Sequence, residues 1–205
     1  MTLRPISDFD LHLFNEGTHR RLYEEFGAQP DRDATRFAVW APDASAVHVV
    51  CDTDGWAHEY PLHPQESSGV WCGGVDGATV GTSYRYRITT RSGERIDRSD
   101  PIGAAHHLSP SIDSYVADVD HDWDDGDWMT HRADRNALDA PMSIYEVHLG
   151  SWGRTVVEGQ RFPNYRELAA PLADHCLAHG FTHVELLPIM EHPFYGSWGY
   201  QTSAY

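Results

Sequence analysis

The sequence predicts a small β-sandwich followed by the opening of an α/β fold. Between Thr35 and about Val119, short apolar runs alternate with turn clusters at about 10-residue spacing, which is typical of an all-β sandwich. Farther on, apolar residues recur at helical spacing between a cap at Asn164 and a stop at Gly180. Apolar runs flank this helix on both sides, and a strand–helix–strand crossover of this length predicts a parallel pair of strands.

Composition limits the class of protein. With 205 residues, 40% of them apolar, the chain can bury a core in one large domain or two small ones. No window approaches the about 18 apolar residues of a membrane span, and residues 1–10 lack the features of a secretory signal. The three cysteines show no metal-ligand spacing, which favours a reducing compartment. We therefore expect a cytoplasmic protein without a membrane partner.

The charge of the chain is strongly negative. The formal net charge is −16, and all 15 basic side chains are arginine. An anionic surface of this size repels phosphate backbones, so nucleic acid is not expected as a partner. A neutral polymer such as a glucan remains compatible with this charge.

The first 119 residues are expected to divide into two parts. Residues 1–30 are predicted to be a lead-in, in which Thr18 caps a short helix. Residues 31–119 form the predicted β-sandwich, and Trp40 and Trp71 are expected to lie in its core because both fall within strands. The clearest predicted strands are Arg36–Trp40, Ala46–Val50, Gly69–Cys72 and Ser83–Ile88.

Residues 120–141 are predicted to be an acidic linker. The acidic run from Asp122 to Trp128 has a spacing that matches no calcium-binding loop. A solvated linker whose tryptophans, Trp123 and Trp128, dock onto a neighbouring surface is therefore the better interpretation.

Residues 142–205 carry the strand–helix–strand pattern. The strands are expected at Ile144–Leu149 and Phe181–Leu187, and Asn164 with Glu167 predicts a capping box. Pro171 removes a backbone hydrogen bond inside the predicted helix, so a kink or a late start is expected there. The final stretch, 188–205, holds two prolines, two glycines and five aromatic residues, which predicts a substrate-facing loop.

Several of these segments together resemble a known family. Ser143–Trp152, Tyr165–Leu168, Gly180–Pro188, Glu191–Phe194 and Gly196–Gln201 closely resemble the bacterial glycogen branching enzymes, which are 1,4-α-glucan branching enzymes of glycoside hydrolase family 13 in the α-amylase superfamily. Upstream, Phe37–Ala44, Gly69–Trp71, Tyr84–Tyr86 and Ser99–Pro101 resemble the family-48 carbohydrate-binding module that precedes the catalytic barrel. The resemblance covers nearly the whole chain.

The resemblance implies a fold and a reaction. The fold would be an immunoglobulin-like β-sandwich followed by the truncated start of a (β/α)8 barrel near Met142. The reaction would be the retaining transfer of α-1,4-glucan segments to 6-hydroxyls in glycogen biosynthesis. The family's three catalytic acids follow barrel strands four, five and seven, which these 205 residues do not contain. No catalytic residue is therefore assigned, and the chain is expected to be inactive alone.

Other functions remain open from the sequence. The chain is alternatively a stand-alone glucan-binding module or a non-functional remnant. As an enzyme, its nearest rival is the trehalose-releasing trehalohydrolase of the same superfamily. In each enzymatic interpretation, the expected partners are an α-glucan, either glycogen or amylose, and the remainder of the barrel.

The resemblance also implies substrate-binding residues. Tyr200 would stack on the sugar ring that is cleaved, and Trp198 and Gln201 would orient it. Trp56 is either a sugar platform or a buttress against the barrel, because its turn, Cys51–Trp56, lacks the Gly, Phe and Asn of the glucan-binding modules. No cofactor is expected. No metal site is expected either, since the 14 histidines are interpreted as having no pair at the sequence spacing that metal ligands require.

Overall fold

The computed structural model describes residues 4–153 and 163–205. Residues 1–3 of the predicted lead-in and 154–162 of the predicted C-terminal segment lie outside this description. The chain forms two compact units, one of Met1–Val119 with Met190–Tyr205 and one of Asp120–Ile189. The segment predicted as 142–205 is thus divided, because its last part packs with the first unit.

The first unit is built mainly from antiparallel strands in two sheets. One sheet has the strand order β1-β2-β6-β5, and the other has the order β4-β3-β7-β8, with β9 also pairing to β7. Short 3-10 helices cover Leu22–Glu24, Asp52–Asp54 and Tyr195–Ser197. In chain order the other elements are α1 (Asp8–Asn15), β1 (Gly27–Asp31), β2 (Ala34–Trp40), β3 (Ala44–Cys51), β4 (Tyr60–Pro61), β5 (His63–Pro64), β6 (Val70–Asp76), β7 (Ser83–Thr90), β8 (Arg95–Arg98) and β9 (Ser114–Tyr115).

The core of this unit follows the two-residue period of its strands. Along β7, Tyr84 and Tyr86 are fully buried, whereas Arg85 and Arg87 alternate with them on the opposite face. The buried tyrosines pack in one cluster with Phe37 of β2 and with valines of β3, which joins the two sheets. The predicted β-sandwich is confirmed, together with its four clearest strands.

Trp40 corrects the expectation that both strand tryptophans lie in the core. Its side chain is 56% exposed, and its ring meets Phe14 edge-on at a centroid distance of 6.2 Å. Trp40 is the last residue of β2, so it lies beyond the buried part of the strand. Trp71 is half-buried, and its indole N–H donates to the carbonyl of Ala41 at 3.0 Å.

The predicted lead-in is part of the sandwich unit. Its helix, α1, begins after Ser7, whose hydroxyl accepts from the backbone N–H of Asp10 at 3.1 Å. Leu11 of α1 packs with apolar side chains of β2 and β6, and β1 extends the first sheet. The prediction of a helix capped by Thr18 is wrong, because the Thr18 backbone N–H donates back to Leu13 and closes the end of α1.

The second unit contains a parallel strand pair and its crossover helix. The elements are α2 (Gly126–Arg135), β10 (Ile144–Val147), α3 (Tyr165–His179) and β11 (His183–Leu186). The predicted parallel pairing of the strands is confirmed, with Val147 opposite Leu186. Leu172 and Cys176 of α3 pack on Val147. The predicted capping box is present, and α3 begins at Tyr165, so Pro171 causes no late start.

The acidic stretch differs from its prediction in containing the helix α2. Its tryptophans are exposed, Trp123 to 76% and Trp128 to 43%. Asp127 near the start of α2 and Arg132 and Arg135 in its last turn complement the helix dipole, which favours the helix over an extended linker. Within residues 4–153 and 163–205, none of the helices has the length and apolar content that crossing a membrane requires.

Candidate functional site

Trp56 stands on a tight turn between β3 and β4. The 3-10 helix of residues 52–54 ends at Gly55, and both Gly55 and Trp56 adopt left-handed backbone conformations, with φ of 69° and 67°. The backbone N–H of Trp56 donates to the carbonyl of Cys51 at 3.0 Å, which closes the turn. A left-handed tryptophan is uncommon, so the surrounding contacts must hold it in place.

The carboxylate of Asp54 supplies those contacts. One oxygen accepts from the backbone N–H of Ala57 at 3.0 Å. The other accepts from the Tyr60 hydroxyl at 3.0 Å and lies 2.7 Å from Nδ1 of His58. Burial opposes ionisation of Asp54, but the hydrogen bonds from His58, Tyr60 and Ala57 outweigh it, so the pKa of Asp54 is lowered. An ionised Asp54 therefore fixes the turn that carries Trp56.

The ring of Trp56 lies against Arg85 of β7. The guanidinium carbon is 4.6 Å from the ring centroid, within the range of a cation–π contact. Arg85 is positioned by two carboxylates, with its Nε 3.4 Å from Asp113 and 3.7 Å from Asp97. Arg85 Nε and Asp113 Oδ1 are both buried and have no hydrogen-bond partner among the described residues. The ion pair between them therefore offsets the cost of burying each charged group. Trp56 is thus held over the outer face of β7.

An open cavity of about 590 Å³ lies beside Trp56. Its polar groups are already ordered by hydrogen bonds with one another. The Ser83 hydroxyl is 3.0 Å from Nε2 of His107, and the Ser111 hydroxyl donates to Asp113 at 3.1 Å. The other lining residues are Asp52 and Leu108. An aromatic ring beside hydroxyl, imidazole and carboxylate groups offers both the apolar face and the hydrogen-bonding groups that a sugar ring requires.

The remaining predicted site residues lie in the C-terminal loop. Trp198 is 58% exposed and has a left-handed backbone at the end of the 3-10 helix 195–197, and Tyr200 is 68% exposed. Gln201 is exposed as well. The structure brings these three into one short turn, in which the Tyr200 N–H donates to the carbonyl of Ser197 at 3.1 Å. None of the three is among the residues that line the cavity beside Trp56.

Several contributors to the site region were not singled out from the sequence for this role. Those that act at Trp56 or its cavity include Asp54, Arg85, His107 and Asp113. Asp100 was noted only as part of a resembling segment. The position of Arg85 could have been predicted in part, since a charged residue between two buried tyrosines of a strand must face outward.

Asp100 shapes the segment that forms much of the cavity wall. The side chain is fully buried and accepts from the hydroxyls of Tyr84 at 2.7 Å and Tyr86 at 3.0 Å and from the backbone N–H of Ile102 at 2.9 Å. Its own N–H donates to Ser114 at 3.0 Å. Burial raises the pKa of Asp100, although the hydrogen bonds from Tyr84, Ile102 and Tyr86 act in the opposite direction.

The histidines include one pair at ligand spacing, contrary to the interpretation from the sequence. His175 and His179 are one turn apart on α3, and their ring centroids are 4.3 Å apart. Nδ1 of His179 is bonded to the carbonyl of His175 at 2.8 Å. Among the described residues, no cluster of three or more His, Cys, Asp or Glu side chains is positioned to hold a metal ion.

Comparison with known proteins first defines the class of the sandwich. Residues 25–103 match the family described as Carbohydrate-binding module 48 (Isoamylase N-terminal domain). Among solved structures, a putative α-amylase from Salmonella typhimurium superposes with a TM-score of 0.61 at 21% identity, over 87% of this chain and 27% of that one. PulA from Klebsiella pneumoniae gives a TM-score of 0.57 at 29% identity, over 82% of this chain and 18% of that one.

The most informative relatives share a single description. The chain is 47% identical to the 1,4-alpha-glucan branching enzyme GlgB of Albidiferax ferrireducens, over 97% of this chain and 32% of that protein. It is 45% identical to the enzyme of the same name from Corynebacterium diphtheriae, over 99% of this chain and 28% of that protein. The chain therefore spans about a third or less of the length of these curated relatives. These matches confirm the resemblance predicted from the sequence: this chain is similar to the N-terminal part of proteins described as 1,4-alpha-glucan branching enzymes.

Proposed function

We propose that this chain is the glucan-binding N-terminal part of a cytoplasmic 1,4-α-glucan branching enzyme, and that its ligand is glycogen or amylose. The similarity to proteins of that name supports the assignment of the enzyme. The arrangement of Trp56 over Arg85, beside a cavity lined by hydrogen-bonding groups, is the observation that carries the assignment of the ligand.

The proposed organisation keeps the four segments predicted from the sequence. Residues 1–30 are the lead-in, 31–119 the carbohydrate-binding module, 120–141 the linker and 142–205 the start of a (β/α)8 barrel. The parallel pair β10–β11 with its crossover helix α3 supports the last of these, since a βαβ unit is the repeating element of such a barrel. Residues 190–205, at the end of the proposed barrel segment, belong to the same compact unit as the carbohydrate-binding module.

The proposed chemistry divides between this chain and the rest of such an enzyme. Retaining transfer requires two carboxyl groups about 5 Å apart across the scissile bond. We assign those acids to the remainder of the barrel, so this chain is inactive alone. Its contribution is substrate positioning: Tyr200 stacks on the sugar beside the reacting bond, and Trp198 and Gln201, in the same turn, orient Tyr200.

The proposed role of Trp56 is a sugar platform on the module. The apolar C–H face of a glucose ring packs on the indole, while Arg85 on β7 keeps the ring in position through its cation–π contact. The turn lacks the Gly, Phe and Asn of its glucan-binding relatives. In their place, the Asp54 carboxylate organises the turn through its bonds to Ala57, His58 and Tyr60.

Pelleting with glycogen tests this function. Trp56→Ala removes the platform and is expected to lower the fraction of chain that co-sediments, with an apparent affinity about tenfold weaker, as for loss of a central aromatic anchor. Trp123→Ala is the matched control, because Trp123 is exposed and lies in the second unit. If Trp56→Ala pellets as well as the unmodified chain, the assignment of Trp56 as a platform is wrong.

A further inference from the structure

The segment that carries Tyr200 closes on itself. We call residues 191–203 the Tyr200 loop. The Ser203 N–H donates to the carbonyl of Glu191 at 2.8 Å, so the two ends of the loop lie side by side. Between them, the Tyr200 N–H donates to the carbonyl of Ser197 at 3.1 Å. A loop of this length whose ends meet and whose residues bond to one another is typical of a compact Ω-loop.

The tip of the Tyr200 loop is packed internally. A Cβ atom at Gly196 would lie 2.5 Å from the ring of Phe194, so only glycine fits there without moving that ring. The Ser197 hydroxyl donates to the carbonyl of Phe194 at 2.7 Å and closes the turn. These contacts fix the tip relative to the ends of the loop. The position of Tyr200 is therefore set by the place where the ends are held.

The sandwich holds one end of this loop. Ala204, which follows the loop directly, is 2% exposed. The next N–H, that of Tyr205, donates to the carbonyl of Pro101 at 2.8 Å, whereas the Tyr205 side chain is 85% exposed. The attachment is thus made through the backbone of Tyr205. Ile112 of the sandwich and Pro193 of the loop also line one cavity of about 170 Å³, so the loop lies beside the segment that follows Pro101.

The turn that receives the loop is itself held on two sides. Pro101 follows Asp100, whose buried carboxylate accepts from the hydroxyls of two strand tyrosines and from the N–H of Ile102. On the other side, Nε2 of His106 is 3.1 Å from the carbonyl of Gly103. The position of the Pro101 carbonyl is therefore determined by the core of the sandwich.

We propose that the sandwich module positions the Tyr200 loop, with Asp100 and Pro101 as the positioning residues. The carboxylate of Asp100 fixes the turn, the carbonyl of Pro101 holds the backbone of Tyr205, and the closed loop transmits this constraint to Tyr200. The inference rests on the proposed contact of Tyr200 with substrate and gives the module a role besides glucan binding. A loop that is ordered beforehand spares substrate binding the cost of ordering it.

Amide hydrogen exchange in a matched pair of variants tests the positioning. Tyr205→Pro removes the N–H that donates to Pro101, whereas Tyr205→Ala keeps it, and both remove the same exposed ring. Exchange at Tyr200 and Ser203 is expected to become about three- to tenfold faster in Tyr205→Pro, as for the loss of one hydrogen bond, and to stay unchanged in Tyr205→Ala. Unchanged exchange in β7 would show that the sandwich keeps its stability in both variants.

A second pair of variants makes the test independent of one hydrogen bond. Ala204→Glu places a charged side chain at a buried position and is expected to accelerate exchange throughout residues 191–203. Tyr205→Glu is the matched control, because it adds the same charge at an exposed position. If Tyr205→Pro and Ala204→Glu both leave exchange in the Tyr200 loop unchanged, the positioning is overturned.

Titration with maltose, followed by NMR at the ring of Tyr200, connects the positioning to substrate contact. Maltose is expected to bind Tyr205→Pro about threefold or more weakly than Tyr205→Ala, since a smaller fraction of the loop is in the binding conformation. Equal affinities of these two variants would also overturn the positioning. A Tyr200 ring that does not respond to maltose in the unmodified chain would instead refute the proposed sugar contact, and the exchange rates alone would then decide the positioning.

Discussion

The buried carboxylate of Asp100 gives the sharpest test of how the first unit is stabilised. Replacing Asp100 with Ala removes the acceptor of the buried Tyr84 hydroxyl and of the half-buried Ile102 N–H, and an orphaned buried donor costs about 1–3 kcal/mol. The Tyr86 hydroxyl retains a contact to the Ala38 carbonyl at 3.4 Å, so it adds little. We therefore expect the free energy of unfolding of Asp100→Ala to fall by about 1–3 kcal/mol from the Tyr84 hydroxyl, with a smaller addition from the Ile102 N–H.

Asp100→Asn separates the hydrogen bonds from the charge. The amide has nearly the same shape, and tyrosine hydroxyls can accept from it by rotating, so the expected loss at neutral pH is smaller than for Ala. Burial raises the pKa of Asp100, so the folded chain binds its proton more readily than the unfolded chain does. The contribution of Asp100 is therefore fully present below its ordinary pKa of 3.8 and is lost as the pH rises through the raised value. Asparagine does not titrate, and it lacks this dependence.

Urea unfolding followed by near-ultraviolet circular dichroism, at neutral and at mildly acidic pH, measures both effects. The advantage of Asp100 over Asn is expected to grow as the pH falls. Asp76→Ala is the control, since Asp76 is exposed at the end of β6 and a surface change of this kind costs about 0.5 kcal/mol or less. An Asp100→Ala variant as stable as the Asp76→Ala control would refute the argument from orphaned donors. A pH-independent difference between Asp100 and Asn would refute the argument from the raised pKa.

Two further predictions concern single contacts. Glu25→Ala leaves the guanidinium of Arg36 buried without its carboxylate partner at 3.2 Å, so the free energy of unfolding measured in urea is expected to fall by about 3–5 kcal/mol. Arg4→Ala is the control, because it removes only the exposed partner of Glu25. An effect of Glu25→Ala no larger than that of the control would contradict this prediction. Asn164→Ala breaks the capping box with Glu167 and is expected to destabilise α3 by about 1 kcal/mol. The measurement is amide hydrogen exchange, which is expected to become faster in the first turn of α3 and to stay unchanged in the sandwich.

Local patterns in the sequence predicted most of the elements. Tyr84 and Tyr86 alternate with arginines along β7, and this two-residue period is sufficient to assign both a strand and its buried face. Asn164 and Glu167 are three residues apart, so their reciprocal bonds, 2.9 Å and 2.7 Å long, depend only on the local backbone. In both cases the interacting residues are close in the chain, and the spacing itself specifies the contact.

Other features had no local pattern from which to predict them. Asp100 lies in a polar stretch that resembles an exposed turn, yet it is buried because tyrosines 14 and 16 residues earlier donate to it. Trp40 continues the apolar run of β2 but is exposed, and it is the last residue of an otherwise buried strand. The acidic run from Asp122 to Trp128 favoured a solvated linker, but its later part begins a helix.

The strands of the sandwich, the strand–helix–strand unit and the likeness to the branching enzymes could all be predicted from the sequence, because each rests on short periodicities or contiguous motifs. The contacts of Arg85 with Trp56 and with Asp113, and the packing of residues 190–205 with the sandwich unit, are seen in the three-dimensional structure alone. These three residues come from separate segments of the chain. Their contacts arise from the pairing of strands and the closure of loops over long sequence distances, and such contacts leave no repeating signal along the chain.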